Sequence, residues 1–83
     1  MQARVSVTLK SGVLDPQGKA IEGALHALGH GAVESVRQGK IFDVVLKGTD
    51  RAAAEAELRA ACEALLANTV IEDYAIAFPG EPA

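Results

Sequence analysis

The hydrophobic residues of this chain change their spacing along the sequence, and this change limits the possible folds more than any other feature. Residues 4–10 alternate strictly, with Val5, Val7 and Leu9 on one side, which is typical of a half-buried strand. Residues 15–28 then have the spacing of a helix. Because a similar order returns in the second half, a domain of mixed strands and helices is indicated.

The first helix is bounded by clear signals. Asp15 is a favourable N-cap residue, Pro16 suits the first helical position, and Gly29 accepts the left-handed backbone that ends a helix. The apolar residues between them form one stripe, which consists of Ala20, Ile21, Ala24, Leu25 and Leu28.

The second half predicts two strands, a helix and a last strand. Residues 33–47 form two strands that a tight turn at 38–40 would join, and the second of them is apolar enough for a central strand. Thr49 and Asp50 would cap a helix over 51–66, whose predicted apolar stripe is Ala54, Leu58, Ala61, Cys62, Leu65 and Leu66. The last strand would cover 70–78, with Tyr74, Ile76 and Phe78 on one face.

This order predicts an α+β fold, the ferredoxin-like βαββαβ two-layer sandwich, in which two helices cover one face of an antiparallel sheet. We expect a single domain over 1–83 with a frayed tail at 79–83. The predicted edge strands, 33–38 and 70–78, lack proline and dense charge. An open edge invites pairing with another chain, so we expect a homodimer whose sheets join.

Composition excludes several classes of protein. Eight basic and eleven acidic residues give a net charge of −3, which argues against nucleic-acid binding. No apolar run reaches the ~18 residues that cross a membrane, and the alternating N-terminal residues do not resemble a signal peptide. One cysteine cannot form an internal disulfide, so a cytoplasmic location is expected. Only 4% of residues are aromatic, which predicts a thin core that a partner would complete.

No catalytic, cofactor or metal site is predicted from the residues. His26 and His30 are four residues apart, but Gly29 interrupts the helix between them and no third ligand follows. Cys62 lies on the inward stripe of the second helix, as a small buried apolar residue would. Glu72 and Asp73 are adjacent in a strand and therefore point to opposite faces. No glycine-rich phosphate-binding motif is present.

The loop before the first helix is the most unusual segment. Val13 and Leu14 are apolar residues in a position where loops are normally polar. They are either packed under the helix or presented to a partner, and the sequence does not decide between these. The predicted turn at 36–40 adds a small basic tip.

Three segments carry a family resemblance, namely LKSGVLDPQGKAI at 9–21, VRQGK at 36–40 and CEALLANTVIEDYAI at 62–76. They resemble the PurS family, the small subunit of phosphoribosylformylglycinamidine synthase (FGAM synthase). The resemblance extends from residue 5 to residue 76. Thr69 departs from it, because the family commonly has proline there.

The resemblance implies a role in purine biosynthesis. In this complex a PurQ-type glutaminase releases ammonia, and a PurL-type synthetase uses it with ATP and Mg to convert formylglycinamide ribonucleotide into the amidine. For the PurS-type subunit the resemblance implies a homodimer, or a tetramer built from it. This oligomer would bridge the two enzymes and take part in ammonia transfer, and it would itself bind no cofactor. On this reading the candidate subunit contacts are Lys10, Val13, Leu14, Asp15, Gln17, Arg37 and Lys40. Asp15 has a competing role as a helix cap.

Two alternatives remain for a ferredoxin-like chain. One is a regulatory module that binds a small molecule at a sheet edge. The other is an acylphosphatase-like hydrolase, which needs an arginine in its first loop and an asparagine on the sheet. The first loop here has no arginine, and Asn68 follows the second helix, so the hydrolase is the weaker reading.

Overall fold

Three strands and two helices alternate along residues 1–79, the part of the chain that the computed structural model describes. The elements are β1 (Gln2–Leu9), α1 (Pro16–Ala27), β2 (Gly39–Val45), α2 (Arg51–Ala61) with a π-helical turn (Cys62–Leu66), and β3 (Glu72–Ala77). The α+β class is therefore confirmed. The predicted tail lies, apart from Pro79, outside the described residues.

β1 is the central strand of an antiparallel sheet with the order β2-β1-β3. Its residue Val5 lies opposite Phe42 of β2 and Ile76 of β3, so these three side chains share one face of the sheet. The alternation in β1 is confirmed, because Val5 and Val7 are fully buried.

The core lies between this face and α2. Asp50 begins α2, since its carboxylate accepts hydrogen bonds from the N–H groups of Ala52 and Ala53 at 3.0 and 3.2 Å. From there Ala54, Leu58 and Cys62 point at the sheet. The buried apolar set among the described residues is small: Ala3, Val5, Val7, Ala54, Leu58, Cys62, Ala67 and Phe78. Burying one leucine of this kind contributes ~1.5–3 kcal/mol.

The π-helical turn changes which residues face inward at the end of α2. The N–H of Ala67 donates to the carbonyl of Cys62, five residues earlier, at 3.0 Å. This wider turn brings Leu66 and Ala67 to the side of Cys62 and leaves Leu65 84% exposed. The prediction that Leu65 belongs to the inward stripe is therefore wrong, because it assumed a regular α-helix.

The predicted strand over Val33–Gln38 is also wrong, and β2 is an edge strand rather than a central one. A two-residue hairpin turn needs a residue with positive φ. Gly39 has none, and it is the first residue of β2. A Cβ atom there would lie 2.6 Å from the carbonyl oxygen of Val7, so this glycine permits close pairing with β1 instead of a turn. The sheet consequently keeps the ferredoxin-like plan with its fourth strand missing.

α1 forms where it is predicted but does not cover the sheet. Gly29 has a φ of 96°, which confirms the left-handed end of the helix. However, no residue of α1 belongs to the core, and only Gly18 of the helix is buried. The prediction that two helices cover one face is correct for α2 alone. None of the helices within residues 1–79 is long and apolar enough to span a bilayer.

Candidate subunit-contact site

The residues predicted from the sequence as subunit contacts meet at one end of the sheet. We call this region the junction, and it consists of residues 9–18, 36–40 and 72–73. Here β1 ends and α1 begins, β2 begins and β3 begins, so the chain passes through the same place three times. All seven candidates, Lys10, Val13, Leu14, Asp15, Gln17, Arg37 and Lys40, lie in the junction.

Asp15 ties two of these passages together. One carboxylate oxygen accepts from the N–H of Gly18 at 2.9 Å and caps α1. The other accepts from the N–H of Gln38 at 2.7 Å, across 23 residues of sequence. The Gln38 and Gly18 N–H groups hold the pKa of this buried carboxyl below its usual value. The predicted capping role is confirmed, and the bond to Gln38 makes Asp15 a link within the chain as well.

Arg37 links the same two segments through a second set of hydrogen bonds. Its guanidinium donates to the carbonyl oxygens of Leu9 and Lys10, both at 3.1 Å, and to that of Val13 at 3.3 Å. A guanidinium has five donors in a fixed plane, which suits a turn that presents several carbonyls together. The sequence predicted Arg37 as a contact for another subunit, whereas in this structure three of its contacts are with its own chain.

Gly18 allows the two passages to approach each other. A side chain at this position would collide with the carbonyl oxygen of Val36 and with the carboxylate of Asp15. From the sequence, this glycine only weakens the first turn of the helix. Its close approach to residue 36 could not be read from local spacing.

The two lysines of the junction pair with the acidic residues that begin β3. Lys10 Nζ lies 3.2 Å from Asp73, and Lys40 Nζ lies 3.8 Å from Glu72. Glu72 and Asp73 do point to opposite faces, as predicted, but their pairing with these lysines was not predicted from the sequence. Exposed pairs of this kind contribute ~0–1 kcal/mol each, so they orient the lysines more than they stabilise the fold.

Val13 and Leu14 differ in their exposure. Val13 is half-buried, and its N–H donates to the carbonyl of Lys10 at 3.0 Å in the turn that Arg37 covers. Leu14 is 69% exposed and Gln17 is also exposed. The choice left open by the sequence is therefore decided separately for each residue: Val13 packs against the junction, and Leu14 is presented to the solvent.

The junction also contains a cavity of about 170 Å³. Val7 and Leu9 form apolar parts of its lining, and its other lining residues are Asp15, Gln17, Gln38, Gly39, Lys40 and Glu72. Pockets that hold drug-sized ligands usually have volumes of ~300–1,000 Å³. Both oxygens of Asp15 are already bonded to backbone N–H groups. The cavity therefore offers little room for a ligand, and the carboxylate of Asp15 is already occupied.

The histidines and the cysteine occupy ordinary structural positions. His26 Nε2 lies 2.6 Å from the carbonyl oxygen of Val33, so this ring bonds to the segment after α1. Cys62 is fully buried, and burial raises the pKa of its thiol, which disfavours the reactive thiolate. Within residues 1–79, no three His, Cys, Asp or Glu side chains are grouped so that they could hold a metal ion.

Comparison with known proteins identifies close relatives. The family model PurS, described as phosphoribosylformylglycinamidine (FGAM) synthase, matches residues 2–79. The FGAM synthase subunit PurS of Mycobacterium leprae is 49% identical over 75 residues, which are 90% of this chain and 91% of the relative.

Solved structures agree with this match. The crystal structure of PurS from Methanocaldococcus jannaschii, a subunit of formylglycinamide ribonucleotide amidotransferase, is 38% identical, covers 92% of each chain and has a TM-score of 0.84. A chain in the structure of PurLQS from Thermotoga maritima is 30% identical with a TM-score of 0.85, and the match covers 92% of this chain and 93% of that one.

Proposed function

The chain belongs to the PurS family of FGAM synthase subunits, and from this premise we propose that it joins the glutaminase and the ATP-dependent synthetase of that complex without catalysing a reaction itself. The solved PurLQS of Thermotoga maritima contains a similar chain together with other subunits, which supports such an assembly. On this proposal ATP and Mg bind to the synthetase, and the complex works in the cytoplasm.

The use of the charged groups in the junction is the observation that carries this proposal. A general acid or base needs a carboxylate or imidazole that can reach a substrate. Here the side chains of Asp15 and Arg37 form hydrogen bonds with backbone groups of their own chain. What they stabilise is a fixed turn that presents Leu14 and Gln17 to the solvent. Such a rigid surface with an exposed apolar residue suits the binding of another protein.

The open edges of the sheet support the predicted homodimer as a part of this proposal. β2 and β3 are each paired with β1 on one side only. β2 contains no proline and one acidic residue, so its outer edge is open to pairing. Residues 33–38, which were predicted to form an open edge strand, form no strand, and β2 provides the open edge for pairing instead.

The alternative of a small-molecule regulatory module receives no support from the site. The junction cavity is smaller than usual ligand pockets, and the relatives are named as subunits of FGAM synthase.

Reconstitution from separate subunits tests the proposed function. The glutaminase and the synthetase are assayed for amidine formation with and without this chain, using first glutamine and then ammonia as the nitrogen donor. Omission should abolish the glutamine-dependent reaction, while a substantial part of the ammonia-dependent reaction remains. Equal loss of both reactions would show that the chain acts in the chemistry of the synthetase, and loss of neither would contradict the proposal.

Adding back variants locates the contact. Leu14→Ser should weaken association with the complex about tenfold, since an exposed apolar contact residue at an interface commonly contributes ~1–2 kcal/mol. Leu65→Ser serves as the control, because Leu65 is 84% exposed on the π-helical turn, outside the junction and outside β2. Titration of each variant into the reconstituted glutamine-dependent assay measures the apparent affinity. An unchanged affinity for Leu14→Ser would remove this residue from the contact.

A further inference from the structure

α1 forms a complete helix without contributing a side chain to the core. Its one buried residue is Gly18, which has no side chain, and none of its residues belongs to the buried apolar set of the described chain. Leu28, which follows its last residue, is 75% exposed, and Ile21 is 40% exposed. Most of the stability of a protein helix comes from the packing of its apolar face. In the single chain, α1 lacks this source of stability.

The dimensions of the molecule agree with an uncovered α1. The longest dimension is 48 Å, close to the sum of an eight-residue strand at ~27 Å and a twelve-residue helix at ~18 Å laid end to end. The radius of gyration is 16.0 Å, whereas a folded chain of this length is expected near ~12 Å. α1 therefore projects from the sheet instead of lying on it.

The residues of α1 do not make it stable by themselves. It has twelve residues, and isolated helices shorter than ~12–15 residues are marginal in water. Gly18 and Gly23 lie within it, and only proline is less favourable than glycine in a helix. Lys19 Nζ lies 3.5 Å from an oxygen of Glu22, but this oxygen is buried and accepts no hydrogen bond. The Asp15 cap is thus the main local stabilisation of a helix with weak intrinsic propensity.

The bonds that join α1 to the rest of the structure lie at its start. Asp15 accepts from the N–H of Gln38 at 2.7 Å, immediately before the helix begins. Further along, His26 bonds to Val33, which belongs to the segment after α1 and not to the sheet. These bonds set the direction in which α1 leaves the junction, but they do not cover its apolar residues. Segments with few buried apolar contacts are the ones that open locally.

We propose that α1 is an order–disorder element, which unfolds in a separated chain while the sheet and α2 remain folded, and which becomes helical when two chains associate. This inference rests on the homodimer in the proposed function and concerns the state of α1 before and after association. The core is independent of α1, since its largest side chains, Val5, Val7 and Leu58, come from β1 and α2. Association therefore includes the cost of ordering a helix.

The proposal has a consequence for assembly of the complex. Gln17 is one of the candidate subunit contacts and belongs to the first turn of α1. The contact surface of the junction is then complete only in chains whose α1 is ordered. Formation of the homodimer would thus precede the binding of the two enzymes.

Amide hydrogen exchange of the unaltered chain tests the ordering of α1. Exchange in residues 20–27 of α1 and 55–61 of α2 is followed by mass spectrometry at several chain concentrations, and sedimentation of the same solutions gives the oligomeric state. α1 should exchange at least about tenfold faster than α2, because α2 exchanges only when the core opens. While dimers predominate, roughly 100-fold dilution should accelerate exchange of α1 about tenfold, since the fraction of separated chains rises with the square root of the dilution.

Two alanines at exposed helical positions provide a matched pair of variants, Ala24 in α1 and Ala56 in α2. Glycine at either position lowers helix propensity by an amount that changes an opening equilibrium about fivefold. Ala56→Gly should accelerate exchange of α2 about fivefold and leave exchange of α1 unchanged, because α2 stays folded when α1 opens. Ala24→Gly should accelerate exchange of both helices, because α1 is already unfolded when α2 exchanges.

Three outcomes would overturn the proposal. Equal acceleration of both helices by Ala56→Gly would show that α1 unfolds only together with the core. Fast exchange of α1 at a rate independent of concentration, in solutions that contain dimers, would show that association does not order it. Both leave the reconstitution assay unaffected, so they are distinguishable from failure of the proposed function. A chain that sediments as a monomer throughout would overturn the ordering of α1 together with the homodimer.

Discussion

α1 and α2 begin in the same way and then behave differently. Each is preceded by an aspartate whose side chain accepts from the N–H groups of the first turn, and their lengths are twelve and eleven residues. Yet α2 contributes Ala54 and Leu58 to the core, while the one buried residue of α1 is Gly18. Whether a helix forms here depends on its cap and on the spacing of its apolar residues. Whether its apolar face is buried depends on the presence of another surface against which the helix can pack.

The comparison shows how an assembly subunit differs from a self-sufficient domain. The sheet and α2 form a body with its own small core, and α1 with residues 33–38 forms an arm that the junction holds in place. Asp15 and Arg37 fix where the arm leaves the body. The stability of the body should therefore be an internal property, and the stability of the arm should depend on what it contacts.

The largest expected difference is in the free energy of unfolding lost when a leucine of the body or a leucine of the arm is replaced by alanine. Leu58→Ala should lower the free energy of unfolding by ~2–5 kcal/mol at any chain concentration, since Leu58 is 2% exposed in the core. Leu28→Ala should have a smaller effect that decreases as the chain concentration rises, because mass action favours the dimer that Leu28 stabilises. Urea unfolding at several concentrations measures both. A concentration-independent loss of several kcal/mol for Leu28→Ala would show that α1 packs on its own body.

Two glycines of α1 provide a matched pair with opposite expected signs. Gly18→Ala should destabilise the chain by ~1–3 kcal/mol, because its methyl group would collide with the carbonyl of Val36 in the junction. Gly23→Ala has free space around it and should stabilise α1 by ~0.5–1 kcal/mol through the higher helix propensity of alanine. Thermal unfolding followed by circular dichroism gives both values. If both substitutions stabilise the chain, residues 33–38 do not pack against α1.

The smallest expected difference is in how the stability contributed by Asp15 in the junction and by Cys62 in the core depends on pH. The folded pKa of Asp15 lies below its ordinary 3.8 because Gln38 and Gly18 donate to the carboxylate, so its contribution is present above that pH and is lost as the pH falls through the folded value. Burial raises the pKa of Cys62 above 9.0, so its contribution is present below pH 9.0 and is lost as the pH rises further.

Variants assign the two ends of this pH profile. Asp15→Asn should flatten the acid side of a plot of unfolding free energy against pH, and Cys62→Ala should flatten the alkaline side. A profile that Asp15→Asn leaves unchanged in acid would mean that the bond to Gln38 does not hold the arm.

Features that depend on neighbouring residues could be predicted from the sequence. The caps Asp15 and Asp50, the end of α1 at Gly29 and the alternation of β1 follow from spacing and from the side chains involved. The candidate contact residues were predicted from an unusual loop and a family resemblance that coincide at residues 9–21, and the structure brings them together in the junction, while their role as subunit contacts stays a prediction.

The errors concern contacts between distant parts of the chain. The glycine that suggested a hairpin, Gly39, is required for close approach to β1. The hydrogen-bond partners of the exposed Arg37 could not be read from local spacing, because the carbonyl groups that accept from it lie some 24 to 28 residues earlier. Leu65 follows a π-helical turn for which the sequence offers no local signal. In each case the conformation depends on a residue that is distant in the sequence, or, for the π-helical turn, on packing that local spacing does not show.

Sedimentation equilibrium of the free chain at micromolar concentration tests most directly whether the arm is completed by a second copy. The account predicts a species of twice 8.6 kDa, with monomer only a minor fraction at concentrations well above the dissociation constant of the dimer. Leu28→Ala should shift that equilibrium toward monomer, and Leu65→Ser should shift it less. A stable monomer at these concentrations would contradict the account, because Leu28 of α1 and the outer edge of β2 would then both remain exposed.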